Sequence, residues 1–346
     1  MIRKAAVLTL IAAFVSATTP GFACTGISLK AQDGAAIRGR TLEFGFPMQS
    51  NVLVIPAGKE MSGTLPDGGK GLVYTSRYAI VGANALGLPA ILDGLNDQGL
   101  SVGLFYFPNY AKYTDVTPEN AMHAIAPQEV PTPTPGLGSP QGAVAGAHFF
   151  IQDRSGKSIV IEPVDGTLKV HDAPLGIMTN APTYDWHMTN LQNYINLSVK
   201  DVEGAKIGPV ALAAFGSGSG LHGMPGDFTP PSRFVRAAIY SQSAAPNATA
   251  EDAVLSAFHI LNQFDIPKGA VQNSAIGGTV DEITEWTSVA DLKNLRWYFR
   301  TFTDQSIHVV DLKEAVEAAK GEVRILKMEG TSQPITDAST NFVAGK

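Results

Sequence analysis

The alternation of hydrophobic and polar residues along the chain predicts many short β-strands, with helices in pairs between them. Near the start, apolar stretches at 25–29 and 35–40 flank Gln32-Asp33-Gly34, which is a turn signal typical of a hairpin. We expect this hairpin to bring Arg40 and Glu43 back beside Cys24. A guanidinium there lowers the pKa of a thiol, and a carboxylate holds an ammonium in place.

The rest of the pattern continues this alternation of strands and helices. Further strands are predicted at 51–56, 77–81, 87–92, 100–107, 147–152, 158–163, 166–171, 284–289, 297–302 and 307–310. Helices are predicted at 118–125, after Pro182 with Trp186, Leu191 and Tyr194 on its apolar face, from Pro230, at 251–262 and at 312–319. Antiparallel strands with paired helices indicate an α+β fold of helices packed on stacked sheets. We find no internal repeat and no clean linker, so we expect one domain over 24–346.

Residues 1–23 have the layout of a secretory signal peptide. Arg3 and Lys4 precede an apolar run over 5–17, and the segment ends in Gly21-Phe22-Ala23. The apolar run is shorter than the roughly 20 residues that a membrane span needs. The sequence therefore predicts a periplasmic or secreted protein that leaves the membrane once this segment is removed.

Cys24 directly follows that segment and is the only cysteine of the chain. A cut after Ala23 gives a first residue that carries both a thiol and a free α-amine. The thiolate is the nucleophilic form, and an α-amine with a pKa of about 7.7–8.0 can act as its base. The alternatives are a spare thiol and the lipidated cysteine of a bacterial lipoprotein. Gly21 stands where lipidation usually requires Leu, which disfavours the second alternative.

Composition and charge exclude several classes of function. Net charge is −6, and removal of Arg3 and Lys4 with the leader makes it −8, which disfavours nucleic acid and anionic membranes as partners. The seven histidines are scattered and form no H-E-x-x-H pair, and there is no second cysteine for a zinc site. There is no G-x-S-x-G motif, and no G-x-G-x-x-G follows a predicted strand. We therefore expect no metal and no cofactor.

Several motifs, in order, resemble the choloylglycine hydrolase family, which contains conjugated bile salt hydrolases and penicillin V acylases. They are Cys24-Thr25-Gly26, Gly39-Arg40-Thr41-Leu42-Glu43, Thr179-Asn180-Ala181-Pro182-Thr183-Tyr184-Asp185-Trp186-His187, Pro225-Gly226-Asp227, Ser232-Arg233-Phe234, Asn262-Gln263-Phe264-Asp265-Ile266-Pro267 and Trp286-Thr287-Ser288-Val289-Ala290-Asp291. The resemblance runs from Cys24 to about Phe302. It implies an N-terminal nucleophile hydrolase with a four-layer α-β-β-α sandwich. It also implies hydrolysis of a small-molecule linear amide that is not a peptide, no metal, and a homo-oligomer such as a tetramer.

The resemblance also implies roles for individual residues. The implied catalytic residues are Cys24, Arg40, Glu43, Tyr106, Asn180 and Arg233. Cys24 resembles the family's nucleophile, which uses its own amine as base. Arg40 resembles the arginine that lies near the thiol. Asn180 resembles the oxyanion-hole asparagine, Arg233 a supporting arginine, and the backbone N–H of Tyr106 the second oxyanion donor.

Three departures from the family pattern affect this interpretation. Glu43 replaces the usual Asp, and Tyr106 is similar to penicillin V acylases, whereas bile salt hydrolases typically have Asn there. Relatives usually carry an amphipathic outer helix after the region that corresponds to 122–130. Here a Pro-rich stretch over 131–146 follows almost at once, so we expect that helix to be missing. A bile-salt-type or penicillin-V-type acylase is our first interpretation, and an acyl-homoserine lactone acylase is the alternative. An inactive exported binding protein or lipoprotein remains open.

Overall fold

The computed structural model describes residues 23–64, 70–111, 146–275 and 278–328. The strands are β1 (Cys24–Lys30), β2 (Ala36–Phe44), β3 (Asn51–Ile55), β4 (Glu60–Thr64), β5 (Lys70–Thr75), β6 (Ile80–Asn84), β7 (Ile91–Asn96), β8 (Ser101–Tyr106), β9 (Ala147–Gln152), β10 (Ser158–Val164), β11 (Thr167–Asp172), β12 (Ile177–Met178), β13 (Ala205–Ile207), β14 (Val210–Leu212), β15 (Val271–Ala275), β16 (Gly278–Asp291), β17 (Arg296–Thr301), β18 (His308–Asp311) and β19 (Arg324–Lys327). The α-helices are α1 (Tyr184–Asn190), α2 (Pro230–Gln242), α3 (Ala250–Leu261) and α4 (Leu312–Ala319), and short 3₁₀ helices lie at Leu191–Tyr194, Ser219–Leu221 and Asn262–Phe264.

Two antiparallel sheets form the centre of the fold. The first has the order β12-β1-β2-β16-β17-β18, with β15 paired to β16. The second has the order β11-β10-β9-β8-β7-β6-β3-β19. Helices α2 and α3 pack on β1, β2 and β16 of the first sheet, so helices cover stacked sheets as the α+β prediction requires. Two small hairpins, β4–β5 and β13–β14, complete the strands among the described residues.

The β1–β2 hairpin forms at the predicted turn. Gly34 has φ +88° and donates its N–H to Ala31, a conformation that a residue with a Cβ rarely adopts. The register sets Cys24 opposite Leu42 and Gly26 opposite Arg40. The hairpin therefore returns the chain to Cys24, as the sequence predicts.

The two faces of β1 and β2 pack against different layers. At Gly26 a Cβ would lie 2.9 Å from Phe105 and 3.0 Å from Phe150, so glycine lets the second sheet approach this face closely. At Gly39 a Cβ would lie 2.8 Å from Leu261 of α3, which covers the opposite face. Because side chains alternate along a strand, β2 sends Arg40 towards the second sheet and Glu43 towards the helices.

Helix α2 carries a buried arginine onto the sheet. It begins at Pro230 with prolines in its first turn, where the absent proline N–H costs no helical hydrogen bond. Arg233, in that same turn, is fully buried. Helix α3 begins with a capping box in which Thr249 and Asp252 bind each other's backbone N–H groups. These two helices form the layer that packs on the Glu43 side of the first sheet.

The structure corrects three details of the predicted elements. The strands expected at 77–81 and 87–92 are Ile80–Asn84 and Ile91–Asn96, because Leu86 and Gly87 take positive φ values of 56° and 69° and form a turn between them. Trp186, expected on the apolar face of its helix, is 43% exposed, and α1 instead buries Tyr184 and His187.

Several sequence-based expectations fall outside the described residues. They are the signal peptide at 1–22, the helix at 118–125, and the absence of the usual outer helix that we expect from the Pro-rich stretch up to 145. Within the described residues, no helix has both the length and the apolar character needed to cross a membrane.

Candidate active site

Cys24 lies at the start of β1 and makes three polar contacts. The residue is 2% exposed. Its backbone N–H donates to Asn180 Oδ1 at 2.7 Å, and its carbonyl accepts from Arg233 Nη1. Its Sγ accepts from Arg40 Nη2 at 2.9 Å. The nitrogen and the sulfur of this one residue are therefore both fixed by side chains from other elements.

Arg40 is held so that one edge of its guanidinium meets the thiol. Nη1 donates to the carbonyl of Leu104 at 2.7 Å, and Nε to that of Thr41 at 3.2 Å. The guanidinium carbon lies 4.4 Å from the ring centre of Phe105 and 5.3 Å from that of Trp286, within cation–π range. None of the salt bridges among the described residues involves Arg40. Its charge is thus directed at Cys24.

Burial raises the pKa of the Cys24 thiol above its ordinary value. Arg40 and Arg233 act in the opposite direction, and Glu43 adds to the rise. Because burial outweighs the two arginines, the thiol keeps its proton at neutral pH. A nucleophilic attack by this sulfur consequently requires a base in direct reach.

Asn180 follows the short strand β12 and has a fixed side-chain orientation. Oδ1 accepts from Cys24 N and from Arg233 Nη2, the latter at 2.8 Å. Nδ2 donates to the carbonyl of Tyr106 at 2.8 Å. Two donors on one atom and an acceptor on the other distinguish the oxygen from the nitrogen of the amide.

Tyr106 ends strand β8 and contributes its backbone to the site. Its carbonyl is turned towards Asn180, two residues after the Leu104 carbonyl that Arg40 binds. The N–H and C=O of one strand residue point to the same side, so the Tyr106 N–H faces the site as well. The phenol group plays no part in these contacts.

Arg233 links three parts of the site. Nη1 binds the Cys24 carbonyl and the Thr25 hydroxyl, and Nη2 binds Asn180 Oδ1. Nε donates to the carbonyl of Phe228 at 2.8 Å. Four donors of the guanidinium fork are used, which is the geometry that favours Arg over Lys.

Glu43 lies on the helix-facing side of β2, away from the thiol. Its side chain is fully buried, and Oε1 accepts from the Thr284 hydroxyl at 3.4 Å. Burial raises its pKa to about 8, against the lowering effect of Arg233. The backbone N–H of Glu43 donates to the Ala23 carbonyl at 2.9 Å.

The structure thus brings together all six residues that the resemblance implies, with Tyr106 present through its backbone.

Sequence reasoning missed a buried layer behind Asn180. His187 Nε2 donates to the Asn180 carbonyl at 2.9 Å, and burial lowers the pKa of His187 to about 4. His148 Nδ1 lies 3.2 Å from Glu162 Oε1, and burial lowers its pKa to about 3. Both histidines are buried in the core, which the scattered spacing of the histidines does not indicate.

Sequence reasoning also missed Glu282 of β16. It is 2% exposed and accepts the Ala23 N–H at 2.8 Å through Oε1. Alternation along β16 could have indicated a buried acid, because Glu282 shares its face with Thr284. Its partner lies 259 residues away, so the local sequence carries no signal for the contact.

A cavity of about 290 Å³ lies among Thr284, Thr287 and Arg300 on the helix-facing side of the first sheet, and Cys24 does not line it. Within the described parts of the chain, no cluster of three or more His, Cys, Asp or Glu side chains is placed to hold a metal ion.

The comparison with protein families decides the assignment. Residues 24–132 and 139–319 match the model described as linear amide C-N hydrolases, choloylglycine hydrolase family. The chain belongs to the choloylglycine hydrolase family. It is therefore a hydrolase of carbon–nitrogen bonds other than peptide bonds, and the match begins at Cys24.

Individual relatives agree with this assignment. The chain is 29% identical over 318 residues to a bile salt hydrolase/transferase of Clostridium perfringens, with 84% of this chain and 93% of the relative covered. It is 25% identical over 328 residues to a penicillin V acylase of Pectobacterium atrosepticum, covering 82% and 79%. A solved variant of the C. perfringens conjugated bile acid hydrolase superposes with a TM-score of 0.75 at 26% identity, covering 92% of this chain and 100% of that one. The N-terminal nucleophile hydrolase fold that the resemblance implies is confirmed.

Proposed function

We propose that the protein is an exported cysteine N-terminal nucleophile amidase that hydrolyses a conjugated bile salt or penicillin V. One observation carries the proposal: Arg40 lies 2.9 Å from the Cys24 sulfur while Asn180 Oδ1 holds the nitrogen of the same residue at 2.7 Å. When residues 1–23 are removed, that nitrogen becomes an α-amine. The nucleophile and its base then belong to one residue.

In the first step the Cys24 sulfur attacks the carbonyl carbon of the substrate amide. The thiol proton passes to the α-amine, and a carbon–sulfur bond forms. The carbon–nitrogen bond then breaks, and the leaving amine takes a proton from the α-ammonium. An acyl thioester and a free amine result, so protons and electrons balance.

The negative charge on the tetrahedral oxygen needs two donors. An amide nitrogen carries two hydrogens; the Tyr106 carbonyl accepts one from Asn180 Nδ2, and we assign the other to the oxyanion. The backbone N–H of Tyr106, on the same edge of β8, is the second donor. Loss of such a donor typically lowers the rate by about 10²–10³-fold.

In the second step water hydrolyses the thioester. The α-amine accepts a proton from the water as its oxygen attacks the acyl carbon. The carbon–sulfur bond breaks, the proton returns to the sulfur, and the acid leaves. Arg40 favours the thiolate as leaving group, because a guanidinium stabilises negative charge on an adjacent sulfur.

The relatives named above support the substrate class, since one is a bile salt hydrolase/transferase and the other a penicillin V acylase. Because Tyr106 stands where bile salt hydrolases typically have Asn, we propose penicillin V as a substrate alongside a conjugated bile salt. An acyl-homoserine lactone is the second candidate, since the same attack on a fatty amide needs no different group. We place the protein in the periplasm or outside the cell on the basis of residues 1–23.

The test is an intact mass of the exported protein combined with an amide panel. We expect a mass that begins at unmodified Cys24, and turnover of glycine- or taurine-conjugated bile salts or of penicillin V. A retained leader or a lipid on Cys24 would remove the α-amine and overturn the mechanism. A correct start at Cys24 with turnover of acyl-homoserine lactones alone would overturn the substrate assignment and leave the mechanism in place.

A further inference from the structure

Two buried carboxyl groups lie beside the start of β1, and the reaction steps above use neither. Glu43 comes from β2 and Glu282 from β16, and both face the helices. Glu282 Oε1 accepts the Ala23 N–H at 2.8 Å, and its Oε2 accepts from Asn273 Nδ2 at 3.0 Å. Ala23 itself is 5% exposed, so the last leader residue fills the space between the carboxyl groups and Cys24.

Glu43 has an acceptor atom to spare. Its Oε2 is buried and has no hydrogen-bond partner among the described residues. Burial raises the pKa of Glu43 to about 8, and the neighbouring Glu282 adds to the rise. Burial also raises the pKa of Glu282, against the opposing effects of Asn273 and Arg233. Since like charges resist ionising together in a buried place, each carboxyl group disfavours ionisation of the other.

Removal of the leader changes what this pair faces. Glu282 Oε1 loses the Ala23 N–H, and a buried carboxylate oxygen without a donor is costly. The Cys24 nitrogen lies one residue beyond the Ala23 nitrogen, and the rise of a strand is about 3.3 Å per residue. After cleavage it becomes an ammonium with three donors. Asn180 Oδ1 accepts one of them from the position it already has. Two donors and a positive charge then lie next to the acid pair.

We propose that Glu282 is a positioning residue for catalysis, which binds the α-ammonium of Cys24 from the helix-facing side once the leader is removed. The assignment deepens the proposed function and rests on it, because an uncut chain has no α-amine. Glu282 touches neither the thiol nor the substrate. It holds the base in the plane of β1, while the thiol points to the opposite face of the sheet.

The proposal predicts a pH effect with a defined sign. The charged groups that face the α-amine are Arg40 and Glu43 of β2, Arg233 of α2 and Glu282 of β16, together with the thiol. A carboxylate raises the pKa of a nearby amine. Glu282→Gln therefore lowers the pKa of the α-amine, and the acid limb of kcat/KM, which reports the free base, moves to lower pH by about one unit.

The experiment compares Glu282→Gln, Glu282→Asp and Asp281→Asn in the full chain. Asp281 is the matched control, because it lies one residue away on β16 and its side chain accepts from Gln272 Nε2 at the surface. Intact mass establishes the first residue of each variant. For Glu282→Gln we expect kcat to fall by about 10- to 100-fold with KM nearly unchanged, since a misplaced base slows chemistry without weakening binding. In Glu282→Asp the acid limb should move at least part of the way back to its wild-type pH. Asp281→Asn should match the wild type.

An acid limb that stays in place in Glu282→Gln would overturn the proposal, provided that this chain begins at Cys24. A wild-type chain that does not begin at Cys24 would overturn the proposed function instead, and the mass identifies this case. If Glu282→Gln retains its leader, the same variant is produced as a chain that begins at Cys24. If it fails to fold, Glu282→Asp decides: an unshifted acid limb with wild-type kcat would contradict the assignment.

Discussion

Two arginines on one strand show how the same buried charge faces a carboxylate at one position and a thiol at the other. Arg38 and Arg40 are two residues apart on β2, face the second sheet, and are 1% and 0% exposed. Arg38 binds Asp93 at 2.7 Å and Ser101 at 3.0 Å. Arg40 binds two backbone carbonyls and the Cys24 sulfur. The difference lies in the partner: a carboxylate neutralises Arg38, while the charge of Arg40 remains directed at a thiol.

The surroundings of the two arginines support this distinction. A Cβ at Gly103 would lie 1.8 Å from Arg38 Nη2, so the strand above has no room for a side chain there. Asp93 also accepts from the Ser288 hydroxyl at 2.7 Å, which fixes its carboxylate further. Arg40 instead lies between the rings of Phe105 and Trp286. The Arg38 pair connects the two sheets, and Arg40 lowers the pKa of the Cys24 thiol against the larger effect of burial.

The largest effect is expected where the thiol that Arg40 faces is removed. Cys24→Ser should lower kcat by about 10³-fold or more, because loss of a nucleophile costs most of the rate. The Arg38–Asp93 contact is untouched, so the unfolding midpoint should stay close to that of the wild type. Turnover of the best amide substrate and thermal unfolding measure both. Substantial retained hydrolysis would contradict the role of Cys24.

The second effect separates the two arginines by stability. Arg38→Met leaves Asp93 buried and unpaired, which should cost about 3–5 kcal/mol of unfolding free energy. Arg40→Met deprives no carboxylate of a hydrogen-bond partner, so it should cost much less. Urea unfolding of the two variants gives the comparison, and Arg38→Met with Asp93→Asn should recover part of the loss. Equal losses for Arg38→Met and Arg40→Met would remove the distinction.

The third effect is on thiol reactivity. Arg40 lowers the thiol pKa, so Arg40→Met should raise it by about one unit. Less thiolate is then present at a given pH, and the midpoint of the alkylation rate moves to higher pH. Iodoacetamide labelling across pH 7–12 measures this shift, with Arg38→Met as a control if it folds. A midpoint that moves down or stays in place would contradict the electrostatic role of Arg40.

The smallest effect concerns the opposite face of the strand. Glu43→Asp keeps the carboxyl group and shortens the side chain by one methylene, giving up the 3.4 Å contact with Thr284. We expect activity to be preserved or improved, within about threefold of the wild type, which corresponds to less than about 1 kcal/mol. Measured kcat/KM tests this, with Glu43→Gln as the variant without charge. A large loss in Glu43→Asp would show that this site requires the longer Glu.

The sequence alone predicted the parts of the site that depend on local signals. The Asp33-Gly34 turn set the β1–β2 register, and thus placed Arg40 beside Cys24. Asn180 and Arg233 came from motifs that the resemblance covers. The contact of Glu282 with Ala23 could not be predicted, because it joins residues far apart in sequence.

Other misses have equally physical reasons. His187 stacks on Phe234 with ring centres 4.7 Å apart and donates to the Asn180 carbonyl, and the spacing of the histidines in the sequence gives no signal for either contact. Trp186, next to it, was expected in the core because it is large and apolar, but the packing of α1 on α2 turns it outwards. The helical pattern identified the element and failed on which face is buried, because tertiary packing decides the face.

The contact between Asn180 and the Cys24 nitrogen has a consequence for timing. With Ala23 attached, that nitrogen is an amide, and an amide has no basic lone pair with which to take a proton from the thiol. Under the proposed mechanism the uncut protein is therefore latent, although Arg40, Asn180 and Arg233 are already in position. A single peptide-bond cleavage would then activate the site, without a separate inhibitor of the precursor.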